Sequence, residues 1–568
     1  MAHVAVRAPA WHLYVPKLVT VLRQGYGARD LGQDVLAGLT VAIVALPLAM
    51  ALAIACGVGP EKGLQTAIVA GFLISALGGS RVQIGGPTAA FIPVVFTVIE
   101  KYGFGGLVLC TLLAGLMLIA AGLLRIGTLM KYMPQPVITG FTAGIAVSIF
   151  VSQVKDLLGL HMGAVPAAFL ARLLAYRQHL GSADPQAVAL AAGSIVLIAG
   201  LRRWRPAWPG FLICVALATL ACTVLGVHAE TIGTRFGAIP ARLPQLAIPH
   251  IPFERTQELF PSSFTIAFLA GVESLLSAVV ADGMIAGRHR SNCELVAQGV
   301  ANIATSLIGG LPATGALART ATNVRAGARS PVAGMLHSVF LLIFTLILAP
   351  WMSYIPLAAL AAVLLVVAWN MAEIESFGHL MRGPIGDRVV LLLTFILTVV
   401  FDLTVAIEVG LVLAAFLFMH RMSEVVAIGA NVSLLEEDVD DFERIPQPTQ
   451  RARLPEGVEV YQVSGPLFFA VANRLDDVLN QFPRPPRVFI LRLRLVPLID
   501  ASGVTALRQL LGRCRRAGTR VILSGLREQP RAILAEMGLQ PDGEQLRFAD
   551  SFADALRLTA PEGLPRGG

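Results

Sequence analysis

The run Leu269–Ile303, LAGVESLLSAVVADGMIAGRHRSNCELVAQGVANI, sets Glu273 and Asp282 in an otherwise apolar stretch of helix length. A basic turn, Arg288-His289-Arg290, follows it, and a second apolar run opens at once. A carboxylate in a membrane span costs on the order of 3 kcal/mol or more unless something compensates it, which marks such a residue as a functional position. Two bilayer-crossing helices joined by a basic turn are the first expectation, with Glu273 as the first candidate residue.

The composition extends that reading to most of the chain. Of 568 residues, 55% are hydrophobic and 14% charged, and the mean hydropathy is +0.72. Soluble domains carry roughly 25% charged residues, so a polytopic membrane protein is expected, with the lipid bilayer as its first partner. The net charge of +8 does not point to nucleic acid. The basic residues cluster in short loops between apolar runs, as the positive-inside rule describes, and the Arg-rich stretch 513–520 lacks interleaved aromatics. The six cysteines are scattered, without CxxC or Cys/His ligand spacing, so no metal or cofactor is expected. No nucleophile–base pair or phosphate loop suggests an enzyme.

Fourteen apolar runs lie between about residues 35 and 420. Internal loops then hold Arg81, Arg125 with Lys131, Arg202-Arg203-Arg205, Arg288 with Arg290, Arg325 with Arg329, Arg382 with Arg388, and Arg421. An even count with both termini in the cytoplasm fits this pattern. Residues 1–34 lack the apolar core of a secretory signal and read as a cytoplasmic segment. The transport region is expected over 35–421, a linker over 422–455, a soluble α/β domain over 456–560 and a disordered tail over 561–568. The acidic stretch 434–443, LLEEDVDDFE, falls in the linker. In the soluble domain, strand-like VEVYQV, RVFILRL and RVILSGL alternate with helical runs near 469–480, 502–516, 528–537 and 551–558.

Two apolar runs are interrupted. The third opens SRVQIGGPTAAF and the tenth GGLPATGALART. Paired Gly/Pro breaks seven spans apart suggest an inverted duplication with broken helices at a shared binding site. A half-helix that begins at mid-membrane offers unpaired N–H groups and about half a positive charge, an anion site without a buried lysine. Thr88 and Ala89 after Pro87, and Gly315, Ala316 and Leu317 after Pro312, are the expected donors. Arg319 would add full positive charge or pair with Glu273, with snorkelling to the interface as the alternative. An ionised Glu273 beside that site repels an anion, so its protonation would favour loading and couple the anion to a proton. Ser277 lies one turn further along the same face. Asp282 reads as a boundary residue or a partner of Arg288. Ser291-Asn-Cys-Glu294 reads as a capping box, and Glu408 as a buried orienting residue near Asp402. Asp500 reads as the N-cap of a helix whose first turn exposes Ser502, a site for regulatory phosphorylation.

With these stretches in hand, the chain resembles the sulfate permease (SulP) family of anion transporters, whose animal relatives include prestin, over about residues 30–560. The resemblance rests on GLTVAIVALPLAMALAIACGV, GGSRVQIGGPTAAF, the Leu269–Ile303 run with LPATGALARTATNVRAGARSPVAG, and PLIDASGV, which resembles a STAS domain. It implies an all-α membrane protein of 14 spans in a 7+7 inverted repeat, with core and gate domains of the uracil-permease kind, and a C-terminal α/β STAS domain. It further implies homodimers, elevator-type motion of the core, and a location in the cell inner (plasma) membrane. By the same resemblance Leu48, Leu52, Thr88, Ala316 and Arg319 line the pocket, and Glu273 carries proton coupling. Leu48 and Leu52 stand where many relatives have a glutamine and an aromatic, which makes the pocket less polar and favours an organic carboxylate over sulfate. Leu317 offers no oxygen ligand, which argues against sodium coupling. The expected function is proton-coupled symport of a small inorganic or organic anion: sulfate, bicarbonate or a dicarboxylate. The rivals are a channel, exchanger or voltage-responsive motor without proton coupling, and a signalling module acting through the STAS domain.

Overall fold

A computed structural model of the chain describes residues 13–128, 134–163, 165–166, 168–205, 208–224, 226–240, 253–401, 403–425, 427–429, 454–467 and 485–559. It divides into a unit spanning 1–414 and a second spanning 415–568. Lys131, Asp402, the acidic stretch 434–443, the helical run 469–480 and the tail 561–568 lie outside the described residues.

The first unit is helical. A short helix α1, Lys17–Gln24, precedes α2, Ala28–Ala55, and α3, Pro60–Leu77. After the two-residue strand β1, Gly85–Gly86, the chain enters α4, Ile92–Leu123, which breaks at Gly103, where φ is 71° and ψ −177°. Next come α5, Gln135–Ser152; α6, Val154–Leu158; α7, Phe169–His179; α8, Pro185–Trp204; α9, Gly210–Val224; and α10, Ile232–Phe236. The run Leu269–Ile303 forms the second half of α11, Thr256–Ile285, and most of α12, Ser291–Leu307. Strand β2, Thr314–Gly315, leads into the nine-residue α13, Leu317–Arg325. The unit closes with α14, Val332–Met352; α15, Leu357–Met371; α16, Ile374–Leu380; α17, Ile385–Val400; and α18, Leu403–Val425, which runs into the second unit. Among the described residues, seven helices are long and apolar enough to cross a membrane. Helices α1, α7 and α16 are short and fall outside the long apolar runs, α1 before the first of them and α7 and α16 between later ones, so hydropathy does not reveal them.

The helices pack as two groups. In one, α4 packs against α11 and α12, α14 against α2 and α3, and α13 against α2 and α11. In the other, α5 packs against α15 and α17, and α8 against α9 and α15. Small residues permit close approach where lipid-soluble helices have little hydrophobic drive to associate. At the α4–α12 crossing two glycines face each other: a Cβ on Gly115 would lie 2.8 Å from the Gly299 carbonyl oxygen, and one on Gly299 would lie 2.5 Å from that of Gly115.

In the second unit, β3 (Ala427–Gly429), β4 (Val458–Ser464), β5 (Val488–Leu495), β6 (Arg520–Ser524) and β7 (Leu546–Ala549) form one sheet in sequence order. Strands β4 to β7 run parallel and β3 is antiparallel to β4. A parallel sheet is normally covered on both faces. Accordingly Phe489 and Leu491 join one buried cluster with Leu507 and Leu510, whereas Val488 and Ile490 join another with Ala555. The three-residue β3 and four-residue β7 were too short for the alternation of apolar residues to reveal.

Candidate functional site

The two interrupted runs meet. Gly85 pairs with Gly315 and Gly86 with Thr314 in an antiparallel two-stranded ladder, β1 with β2. Non-helical backbone inside a membrane must be satisfied by protein, and buried side chains do this at several positions of the break. Asn302 accepts from Ala313 N at 2.9 Å and donates to Ala313 O at 2.8 Å. Thr314 Oγ1 donates to Ala270 O at 2.7 Å, Ile84 N donates to Thr320 Oγ1 at 3.0 Å, and Asn323 Nδ2 donates to Val82 O at 2.8 Å.

Around this ladder stand the residues singled out from the sequence. Thr88, half-buried at the start of the first half-helix, donates from Oγ1 to Glu273 Oε2 at 2.8 Å. Ala89 is buried behind it in a short 3-10 turn that leads into α4. Arg319 is 3% exposed, so it does not snorkel. Its Nη2 donates to the Pro87 carbonyl oxygen, while its Nη1 is buried with no hydrogen-bond partner. Among the described residues Arg319 and Glu273 form no ion pair; each is held by a neutral group. Gly86, at φ 146°, passes under the guanidinium, and a Cβ there would lie 2.7 Å from Nη1.

Ala316 N donates to Ile84 O at 2.8 Å, so that amide serves the fold and is not free for a ligand. Gly315 belongs to the ladder, and Leu317, the first residue of α13, is 47% exposed. Leu48 and Leu52, one turn apart on α2, are buried at 9% and 1% exposure, on a helix that packs against α13. Ser277 Oγ donates to Thr320 Oγ1 at 3.1 Å, tying α11 to α13.

Several sequence expectations change. Glu294 does not complete a capping box: Arg290 is the N-cap and no side chain caps the helix. The fully buried Glu294 carboxylate reaches outside its own helix. It accepts from Gly79 N at 2.8 Å, Ser80 N at 3.2 Å, Ser274 Oγ at 3.2 Å and Gln298 Nε2 at 2.9 Å. Gln83 Nε2 extends this network to Ser274 Oγ at 3.0 Å, one residue from Glu273. The sequence signal was present, since a charged residue followed four positions later by glutamine in an apolar run suggests a buried network, but the capping pattern obscured it. Asp282 pairs with His289 Nδ1 at 2.6 Å rather than with Arg288, because the turn brings the imidazole back over the helix end. Glu408 is exposed rather than buried. Asp500 is an N-cap, accepting from Gly503 N at 2.7 Å, but Ser502 is half-buried rather than exposed.

With the site assembled, its relatives can be set beside it. Residues 31–394 match the sulfate permease family and residues 450–555 the STAS domain. A Bacillus subtilis (strain 168) protein, YvdB, whose name assigns it provisionally to sulfate transport, is 40% identical over 518 residues, covering 91% of this chain and 95% of its own. The bicarbonate transporter BicA of Synechocystis sp. is 29% identical over 543 residues, covering 93% and 94%. In fold, the chain is similar to the murine Solute Carrier 26 family member A9 anion transporter in its inward-facing state. The TM-score is 0.85 at 17% identity, over 98% of this chain and 96% of that one. The helical unit with its paired strand breaks, and the α/β unit that follows, are therefore those of a multi-pass membrane anion transporter: this chain belongs to the sulfate permease family and carries a STAS domain.

Proposed function

We propose that this protein is a secondary active transporter that moves a small anion (sulfate, bicarbonate or a dicarboxylate) together with a proton across the cell inner membrane. The observation that carries the reading is the buried, unpartnered Nη1 of Arg319 beside the β1–β2 ladder. An unpaired buried guanidinium donor is costly unless a ligand completes it, and a planar fork suits carboxylate or oxyanion geometry. The half-helices beginning at Thr88 and Leu317 add their positive ends.

Glu273 supplies the coupling. Two negative charges about 5 Å apart at an effective dielectric near 20 repel by on the order of 3 kcal/mol, roughly a hundredfold in affinity. Neutralising Glu273 removes that penalty, so proton and anion bind together. The two helix groups fit an elevator in which the group holding β1 and β2 moves against the one built on α5, α8, α15 and α17. The same reading takes fourteen spans in a 7+7 inverted repeat over 35–421, a linker over 422–455 and a STAS domain over 456–560. It places both termini in the cytoplasm, assembles the chain as a homodimer and makes Ser502 a regulatory phosphorylation site.

The test is uptake into proteoliposomes of sulfate, bicarbonate, chloride, fumarate and succinate under imposed proton or sodium gradients. Saturable uptake of one or more oxyanions, accelerated by an inward proton gradient and indifferent to sodium, is expected. A non-saturable conductance insensitive to pH would overturn the reading in favour of a channel.

A further inference from the structure

A large cavity lies away from the β1–β2 site, in the other helix group. It measures about 910 Å³, within the roughly 300–1,000 Å³ of ordinary ligand pockets. Its walls are apolar: Ala146 and Phe150 from α5, Ala199 from α8, Leu365 and Trp369 from α15, and Phe395 from α17. Two residues of its lining are charged, Arg202 and Arg203, both exposed in the last turn of α8. Arg202 Nη1 donates to Asn370 Oδ1 at 3.0 Å, which fixes that helix end against the end of α15. Glu373 and Glu375 lie nearby in sequence and are exposed, but among the described residues no carboxylate pairs with either arginine.

The tryptophans mark the depth of this opening. Trp204 is 80% exposed, Trp369 69% and Trp208 56%, all at or just beyond the ends of α8 and α15. Exposed tryptophans gather at the membrane–water interface. The cavity thus presents two guanidinium groups that pair with no carboxylate among the described residues, at headgroup level above an apolar interior. Neither a small inorganic anion nor a neutral apolar molecule matches both halves.

We propose that this cavity is a binding site for an anionic phospholipid, with an acyl chain against Ala146, Ala199 and Phe395 and the phosphate held by Arg202 and Arg203. Basic pockets between membrane helices recognise anionic headgroups in this way, and guanidinium is suited to phosphate because its donors are preset in a plane. A lipid wedged between α5, α8, α15 and α17 would brace this helix group from within.

The full-length protein, purified in mild detergent and exposed to equimolar phosphatidylglycerol and phosphatidylcholine, tests this by native mass spectrometry of retained lipid. The wild type is expected to retain phosphatidylglycerol over phosphatidylcholine. Arg202→Gln/Arg203→Gln should lower that preference by roughly 10- to 30-fold, and Arg202→Lys/Arg203→Lys should keep much of it. Ala199→Trp, which fills the apolar part, should reduce retention of both lipids. Undiminished preference in the glutamine double variant, or equal retention of the two lipids by the wild type, would overturn the proposal. So would a change confined to the fraction of dimer, which would make the cavity a contact between two copies. Uptake by the site at Arg319 is not the readout, so the two proposals fail separately.

Discussion

Thr88 Oγ1 donates a hydrogen bond to Glu273 Oε2 at 2.8 Å across 185 positions of sequence. The bond joins the first half-helix to the acid of α11, so in the proposed mechanism the coupling acid and the anion-binding backbone would act as one unit. If Glu273 carries the coupling, Glu273→Gln should leave anion binding and exchange in place while removing acceleration by an inward proton gradient. Proteoliposome uptake with and without a pH gradient checks this. Accumulation by the variant that still follows the proton gradient would assign the coupling to another group.

Arg319 gives a second prediction. Hydrogen bonds to a charged group contribute about 1.5–3 kcal/mol, so Arg319→Ala should weaken anion affinity by roughly 10- to 150-fold. Arg319→Lys should recover part of the charge effect but not the fork geometry. Half-saturation concentrations for uptake measure both, and equal affinities in all three proteins would place the anion elsewhere.

Gly86 gives a third. Its φ of 146° and the guanidinium over it leave no room for a side chain. Gly86→Ala should displace Arg319 from the Pro87 carbonyl and disrupt the pairing with Thr314, lowering uptake at least tenfold. Its effect on uptake should exceed that of Gly193→Ala on α8, where a Cβ meets nothing within 4 Å.

Glu294 makes a fourth, on stability. Four donors converge on its carboxylate, and an amide in its place turns a donor toward at least one of them. Glu294→Gln should lose about 2–3 kcal/mol, read as a lower unfolding temperature of the purified protein. Glu408→Gln, exposed on α18, should change it little.

Outside the membrane, Arg235 donates to Glu230 from Nε at 2.8 Å and Nη2 at 2.5 Å, and to Asp156 Oδ1 at 2.7 Å. These hydrogen bonds from Arg235 hold the Glu230 carboxyl below its ordinary value of 4.5. A depressed carboxyl pKa stabilises the fold above the unfolded value, and that contribution is lost as the pH falls through the folded one. Because Glu230 is half exposed, the stability difference between wild type and Glu230→Gln should be at most about 1 kcal/mol at pH 7. It should close below pH 4.5. Thermal unfolding across pH reads it, and a difference that persists in acid would show a cause other than ionisation.

What the sequence by itself determined was whatever depends on neighbours along the chain. Hydropathy over helix-length windows located the long helices, Gly and Pro at 85–87 and 309–315 marked where helix must stop, and the charge of Glu273 and Arg319 in apolar runs marked them as exceptional. The strand alternation of 458–463, 487–493 and 520–526 exposed the sheet of the second unit. These signals are local because backbone period and side-chain polarity are local. Only the tertiary structure decided partners. Gly85 meets Gly315, Arg319 turns to the Pro87 carbonyl 232 positions away, and Glu294 leaves its own helix for Gly79 and Ser80. In a membrane interior no water completes a buried donor or acceptor, so each polar group takes whichever complementary group packing places beside it. A capping box would offer the Glu294 side chain one local backbone N–H. Glu294 sits where two other segments, the Gly79-Ser80 loop and α11, bring three donors to it, with Gln298 of its own helix as a fourth, and this convergence, invisible in sequence spacing, outweighs the single local bond.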